Sequence, residues 1–235
     1  MKCEICGNLE FLRRCPHCGK VLCPEHINPV EHFCIGKRRI ASYGINNILI
    51  IICTILFFSS LLFKWELIRL LALNPLHLMP WQPLTCIFLH VDFWHFVINM
   101  LFLLFFGGEL ENRLGVSKYL KIFILSGLAG SLGYIAYSYI FNVYSPALGA
   151  SAAIFGVFGC LALIAPEVRI IIFPIPIPIG IRTALMLFAI YEFWMMFLNT
   201  IHVFETNVAN VAHLAGLFVG LYYGKMFKKR RIRID

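Results

Sequence analysis

Charge is what this sequence has least of. Asp, Glu, Lys and Arg make up only 14% of its 235 residues, where an ordinary soluble domain carries about a quarter. Hydrophobic residues make up 60% and the mean hydropathy is +0.81. The apolar residues come in blocks, which excludes an ordinary soluble globule and predicts a polytopic membrane protein. An internal repeat of spans is missing, which counts against a transporter fold. The N-terminus has no apolar run of the kind a cleavable signal peptide needs; it is polar and rich in Cys, so no leader is expected. Carboxylates are also few, 12 against 20 Lys and Arg, leaving a net charge of +8. Such an excess suits nucleic acid. Here, however, the basic residues cluster beside apolar blocks, where they orient a chain in a bilayer. The lipid bilayer is therefore the expected partner, and nucleic acid is not.

Cysteine is scarce beyond residue 34 but dense before it, with six of the nine in the first 34 residues. They form Cys3-x2-Cys6, Cys15-x2-Cys18, Cys23-x2-His26 and His32-x-Cys34. Eight thiol and imidazole ligands are enough for two tetrahedral zinc sites. A segment this short buries too little surface to fold without such a staple. A disulfide knot is the alternative. It is disfavoured by the two histidines and by neighbouring basic clusters that put the segment in the reducing cytosol. The order of ligands resembles the AN-one-type zinc finger, a two-zinc cross-brace. That resemblance implies one structural zinc on Cys3, Cys6, Cys23 and His26 and a second on Cys15, Cys18, His32 and Cys34, with His17 a spare imidazole. It also implies a protein partner that nothing in the sequence names. The expected domains are a finger at 1–36, a basic linker at 37–44, a membrane body at 45–227 and a basic tail at 228–235.

Helical spans are predicted near 45–63, 93–110, 118–141, 150–165, 182–200 and 208–227. The long connection 64–86 contains an amphipathic stretch, WELIRLLAL, suited to the membrane interface. Lys37, Arg38 and Arg39 precede the first span. Arg113, Lys118 and Lys121 lie between the second and third, Arg169 and Arg182 between the fourth and fifth, and the C-terminal stretch KMFKKRRIRID supplies six more. The alternate connections hold only Lys64 and Arg69. Both termini are therefore expected in the cytoplasm, with an even number of spans in the cell membrane.

Three polar groups converge in depth. Counting back from the cytoplasmic ends at about 1.5 Å per residue puts Ser151 roughly 24 Å above Glu167, His213 roughly 18 Å above Lys225, and His95 roughly 21 Å above Glu109. All three lie inside a hydrocarbon core of about 30 Å. Asn99 follows His95 by one helical turn on the same face. Each residue has a bland reading. A membrane serine usually bonds its own helix, and an asparagine is often interhelical glue. An intramembrane histidine is more suggestive of function. Small residues three or four apart, Gly149, Ala152, Gly156 and Gly159 in one span and Gly216 and Gly220 in another, permit a close pairing that brings Ser151 to His213. A hydroxyl beside an imidazole is the nucleophile–base arrangement for acyl transfer.

These residues resemble the rhomboid intramembrane serine proteases. The likeness rests on H-x-x-x-x-H-x-x-x-N at His90, His95 and Asn99, on G-x-S at Gly149 and Ser151, and on H-x-x-G-x-x-x-G at His213, Gly216 and Gly220. GGELENRLG at 107–115 also resembles the family's link after the second span. The resemblance implies an all-α bundle of six membrane helices with the small zinc finger fused before it. It implies Ser151 as nucleophile and His213 as base, a dyad without a carboxylate and without any catalytic cofactor. His95, Asn99 and the Ser151 N–H would form the oxyanion hole. Phe155 would pack on the catalytic histidine, and His90 would shape the mouth of the site or the structure around it. Substrates would be transmembrane segments of other proteins. Two departures are visible. The Trp-Arg pair common in the first outer loop of many members is absent, with Trp65-Glu66 and Trp81-Gln82 there instead. Ala152 follows the serine where glycine is frequent. The competing reading within this fold is a catalytically weak relative that binds client helices. Glu192, in the fifth span, is the one feature that would suit a transporter, and it reads equally as a buried structural residue.

Overall fold

The computed structural model describes residues 2–15, 20–27, 44–172, 175–201, 203 and 209–232. The chain divides into two compact units, Met1–Tyr43 and Gly44–Asp235. In the first, β1 (Arg13–Arg14) pairs antiparallel with β2 (Val21–Leu22). Its small buried cluster is made of Leu22 and three cysteines, Cys3, Cys15 and Cys23. A core of that size cannot hold a fold by apolar burial alone.

The second unit is helical. Its elements are α1 (Ile45–Leu62), α2 (Lys64–Leu71), α3 (Gln82–Thr85), α4 (Phe93–Phe102), α5 (Gly108–Leu114), α6 (Val116–Phe141), α7 (Ser151–Ile164), α8 (Ile181–Thr200) and α9 (Asn210–Ile232). A 3-10 turn, Cys86–Phe88, follows α3, and a π-helical turn, Leu103–Gly107, joins α4 to α5 in one continuous rod. Among the described residues four helices, Ile45–Leu62, Phe93–Leu114, Val116–Phe141 and Ile181–Thr200, are long and apolar enough to cross a membrane. The fourth and sixth expected spans fall on α7, only 14 residues long, and on α9, whose last turns are basic and which runs on to Ile232. The outer surface is apolar, with Ile55, Phe58, Leu62, Phe193 and Phe218 all exposed. Such a surface suits lipid rather than water.

α7 is short because it is central. Ten of its 14 residues are buried inside the bundle. It therefore meets protein rather than lipid along its length, and roughly 21 Å of helix suffices where a lipid-facing span needs about 30 Å. Its closest neighbour is α9. A Cβ on Gly216 would run into the Ala152 carbonyl, and one on Gly220 into the Gly156 carbonyl. The two backbones touch because these residues lack side chains.

Polar contacts fix the other end. Glu111 accepts from the backbone N–H groups of Ile45 and Asn46, at 2.8 and 3.1 Å, and so caps α1 with a carboxylate. That is the favourable sign at a helix N-terminus. Asn46 in turn donates to the Leu103 carbonyl at 2.9 Å and accepts from Tyr119 Oη at 2.5 Å. The Leu103 carbonyl belongs to the π turn, where the regular helical ladder is broken and a side chain supplies a partner. One element was not expected. Between α7 and α8 lies an antiparallel hairpin of β3 (Arg169–Ile172) and β4 (Ile175–Gly180). Its backbone pairs are Arg169 with Gly180, Ile170 with Ile179 and Ile172 with Ile175, with an irregularity between the last two. None of the pairs uses a proline, which is how a strand reading IPIPIG remains compatible with pairing.

Candidate active site

Ser151 is the first residue of α7, and Gly149 sets the chain's approach to it. Gly149 has φ +117°, and a Cβ there would lie 2.5 Å from His95 Cε1. Only glycine combines that backbone with so close a ring. The Gly149 N–H donates to the Cys86 carbonyl at 2.8 Å, and Leu73 and Ala147 exchange backbone hydrogen bonds, both 2.9 Å. The loop before the serine is thereby stitched to the segment before α4. His90 adds a further stitch. It is fully buried, its Nε2 accepts from the Ala150 N–H at 3.3 Å, and its Nδ1 lies 3.3 Å from the Phe88 carbonyl. Nδ1 therefore carries the proton, and both ring nitrogens are occupied in holding the loop.

The close pairing of α7 with α9 brings His213 Nε2 to 2.7 Å from Ser151 Oγ. Phe155, one turn after the serine, stacks on the His213 ring at 4.8 Å between centroids and 9° between planes. The imidazole is thus held flat against an aromatic ring. His95 and Asn99 line the same cavity of about 1100 Å³ as Ser151 and His213. Asp92 caps α4 by accepting from the His95 N–H at 2.8 Å. Asn99 donates one amide hydrogen to the His95 carbonyl at 2.7 Å, which leaves its second N–H for another acceptor. Ser151 lies in the first turn of α7, where N–H groups have no acceptor within the helix and the dipole favours negative charge.

The expectation of a histidine with no carboxylate near it needs correction. Glu192 Oε2 of α8 lies 3.0 Å from His213 Nδ1, and Asn210 Nδ2 of α9 donates to the same oxygen at 2.6 Å. The span that carries Glu192 enters from the opposite face to that of His213, yet the two side chains meet. Depth, not entry face, decides proximity. Glu192 stands ten residues beyond Arg182, about 15 Å into the membrane. That is close to the height found for His213 above Lys225, so the same counting would have found it.

In the first unit the ligand atoms of Cys3, Cys6, Cys23 and His26 all lie within 4.8 Å of one another. Cys6 Sγ is 3.7 Å from Cys23 Sγ, and His26 Nδ1 is 3.3 Å from Cys23 Sγ and 4.0 Å from Cys3 Sγ. Two thiolates bound tetrahedrally to one zinc stand about 3.8 Å apart, and a thiolate and an imidazole about 3.5 Å. The cluster fits a metal ion of that kind. Burial works against the Cys3 thiolate, but backbone hydrogen bonds from Cys6, Cys23 and Ile5 outweigh it and bring the thiol down to about 6. Cys6 has a backbone donor at Asn8, yet burial and the adjacent Cys3 and Cys23 sulfurs push its thiol up. Of the second expected set, Cys18, His32 and Cys34 lie outside the described residues, as does His17.

Comparison with known proteins gives the same direction as the geometry. A rhomboid domain matches residues 77–230. Rhomboid protein 1, mitochondrial, of Saccharomyces cerevisiae is 33% identical over 162 residues, 62% of this chain and 42% of the yeast protein. Putative rhomboid protease YdcA of Bacillus subtilis is 30% identical over 145 residues, 60% of this chain and 63% of that protein. Rhomboid protease GlpG of Photorhabdus laumondii is 28% identical over 148 residues, 62% of this chain and 46% of that protein. The matched stretch thus spans less than two thirds of each of these relatives. The family's domain covers most of the second unit, including every residue of the candidate site, and the chain belongs to the rhomboid family.

Proposed function

We propose that this chain is an intramembrane serine protease that cleaves transmembrane segments of other membrane proteins. The observation that carries the proposal is the 2.7 Å contact between Ser151 Oγ and His213 Nε2 inside a large cavity. A substrate helix hides its carbonyls in its own hydrogen bonds, so the segment must unwind locally to be attacked. His213 takes the Ser151 proton as Oγ adds to the carbonyl carbon. His95, the free N–H of Asn99 and the Ser151 N–H are the donors available to the oxyanion. Collapse breaks the C–N bond as His213 returns the proton to the leaving amine. A water, deprotonated by His213, then releases the acyl group from Ser151. His90 keeps the loop in register and takes no part in the proton transfers. Both termini are cytoplasmic in this reading, on the strength of the basic residues that flank α1 and end α9.

Cleavage of a model transmembrane substrate by the full chain in liposomes tests the reading. Ser151→Ala and His213→Ala should each abolish it while the protein stays folded, and a serine-directed probe should label the wild type but not Ser151→Ala. Either variant turning over near the normal rate ends the assignment. The same assay separates a protease from a relative that only binds client helices.

For the N-terminal unit we propose two structural zinc ions in a cross-brace, supported by the geometry of the Cys3, Cys6, Cys23 and His26 cluster. The ions would hold the fold and take no part in cleavage, and the module would serve a protein partner. Metal analysis of the full chain should return two zincs, falling to one in Cys3→Ser/Cys6→Ser. A single zinc in the wild type would remove the second set.

A further inference from the structure

An ionised side chain in the middle of an apolar membrane helix is costly and is kept there by specific partners. Glu192 is 5% exposed, on a helix whose other flank is apolar, and has two such partners. Asn210 donates to Oε2 at 2.6 Å and holds that oxygen in one position. The same oxygen lies 3.0 Å from His213 Nδ1. His213 Nδ1 is itself buried and forms no aligned hydrogen bond among the described residues. The carboxylate therefore stands beside the ring nitrogen but off its N–H direction. Chemistry fixes the tautomer. For Nε2 to accept the Ser151 proton it must be bare, so Nδ1 must carry the hydrogen that faces Glu192. When Nε2 is protonated, the imidazolium gains a positive charge beside a fixed negative one.

We propose that Glu192 is a positioning residue for the cleavage reaction: held by Asn210, it fixes the His213 tautomer and stabilises the imidazolium formed as Ser151 attacks. The active unit is then Ser151, His213 and Glu192, assembled from α7, α9 and α8, with Asn210 orienting its last member. The proposal rests on the reading of Ser151 as nucleophile. Other titratable groups line the cavity: Asp92 just before α4, His95 on α4, Tyr134 and Tyr137 on α6, and Tyr191 beside Glu192. Asp92 is engaged at the start of α4 with the His95 N–H. Glu192 is the carboxylate that meets the His213 ring.

The alternative is that Glu192 merely ties α8 to Asn210. Two variants in the full chain separate these roles. Glu192→Gln keeps the size and an oxygen to accept from Asn210, but removes the charge. Glu192→Asp keeps the charge and shortens the reach. Steady-state cleavage of a model transmembrane substrate would be measured with serine-probe labelling rates and unfolding temperatures. A positioning carboxylate predicts kcat in the order Glu, Asp, Gln. The Gln variant should fall by about tenfold to hundredfold, with KM within about twofold and unfolding unchanged. Labelling of Ser151 should slow in the same order. Gln at wild-type kcat, or Asp slower than Gln, would overturn the proposal in favour of a structural tie. Should Gln fail to fold, Asp alone decides: a lowered kcat at constant KM supports positioning, and a wild-type kcat overturns it. Cleavage that survives Ser151→Ala would instead sink the nucleophile assignment, and this proposal with it.

Discussion

α7 and α8 are neighbours in sequence and are packed in opposite ways. α7 buries ten of 14 residues, most of them small. α8 buries only Ile181, Ala184, Leu185 and Glu192 of its 20 residues, while Leu187, Ile190, Phe193 and Trp194 stay exposed. Ser151, the proposed nucleophile, thus sits on the helix that cannot shift without unmaking the core. The carboxylate sits on a helix held mainly from one side. Membrane helices gain nothing from burying apolar surface away from lipid, so association depends on close packing and polar bonds. α7 and α9 use the first of these, and α8 meets α9 through the second. The geometry that must be exact to a fraction of an ångström is assigned to the stiffer contact.

The most damaging way to test this contrast is to add one branched side chain at the glycine contact. Gly220→Val would drive a Cβ into the Gly156 carbonyl, which is backbone and cannot swing aside. Overpacking of a well-filled core typically costs 1–3 kcal/mol, and a backbone obstacle puts this substitution at about 3 kcal/mol or more. We expect a sharp fall in unfolding temperature in detergent and loss of cleavage with it. A stable Gly220→Val protein would mean that α7 and α9 are separable and that the serine–histidine contact rests on something else.

How much of this was readable beforehand follows the same division. The small residues of α7 and α9 carry their packing in the sequence, because four-residue spacing of glycine has few other uses in a membrane helix. The convergence of Ser151, His213 and His95 could be counted from the helical rise alone. Glu192 is visible as an ionisable residue in an apolar run, but from the sequence alone it reads equally as a buried structural residue. The hairpin after α7 was not legible. An Ile-Pro alternation breaks helical periodicity and discourages strand pairing alike, and only the register shows that the prolines avoid the ladder. The π turn at Leu103–Gly107 was equally hidden, since its partner Asn46 is 57 residues from Leu103 in sequence.

A middle-sized effect is expected at Asn99, which lines the cavity from α4. Its side-chain bond runs to the His95 carbonyl one turn back, inside its own helix. Loss of an oxyanion donor costs about 10²–10³ in kcat in well-studied hydrolases, whereas a polar bond between membrane helices averages about 0.6 kcal/mol of stability. Asn99→Ala should therefore slow cleavage by more than about tenfold with little change in unfolding temperature. The loss should be smaller than for Ser151→Ala, because His95 and the Ser151 N–H remain. A large drop in unfolding temperature with turnover preserved in the folded fraction would make Asn99 a packing residue and require another donor.

The smallest effect tests the other side of the contrast, the outer face of α8. Phe193 follows Glu192 directly but points away from the site, with 59% of its surface exposed. In water, removing its ring from a buried site would cost several kcal/mol; here the ring faces lipid in both the folded and separated states, so little transfer energy is at stake. Substitutions at such outward positions usually stay within about 0.5 kcal/mol. Phe193→Ala should leave the unfolding temperature, cleavage rate and KM near wild type, one residue away from a position where Gln for Glu slows the reaction by tenfold or more. Measuring both variants in the same liposomes makes the comparison direct. A strongly destabilised Phe193→Ala protein would mean that this face of α8 is covered in the native membrane, and the loosely held helix of the contrast would then be a packed one.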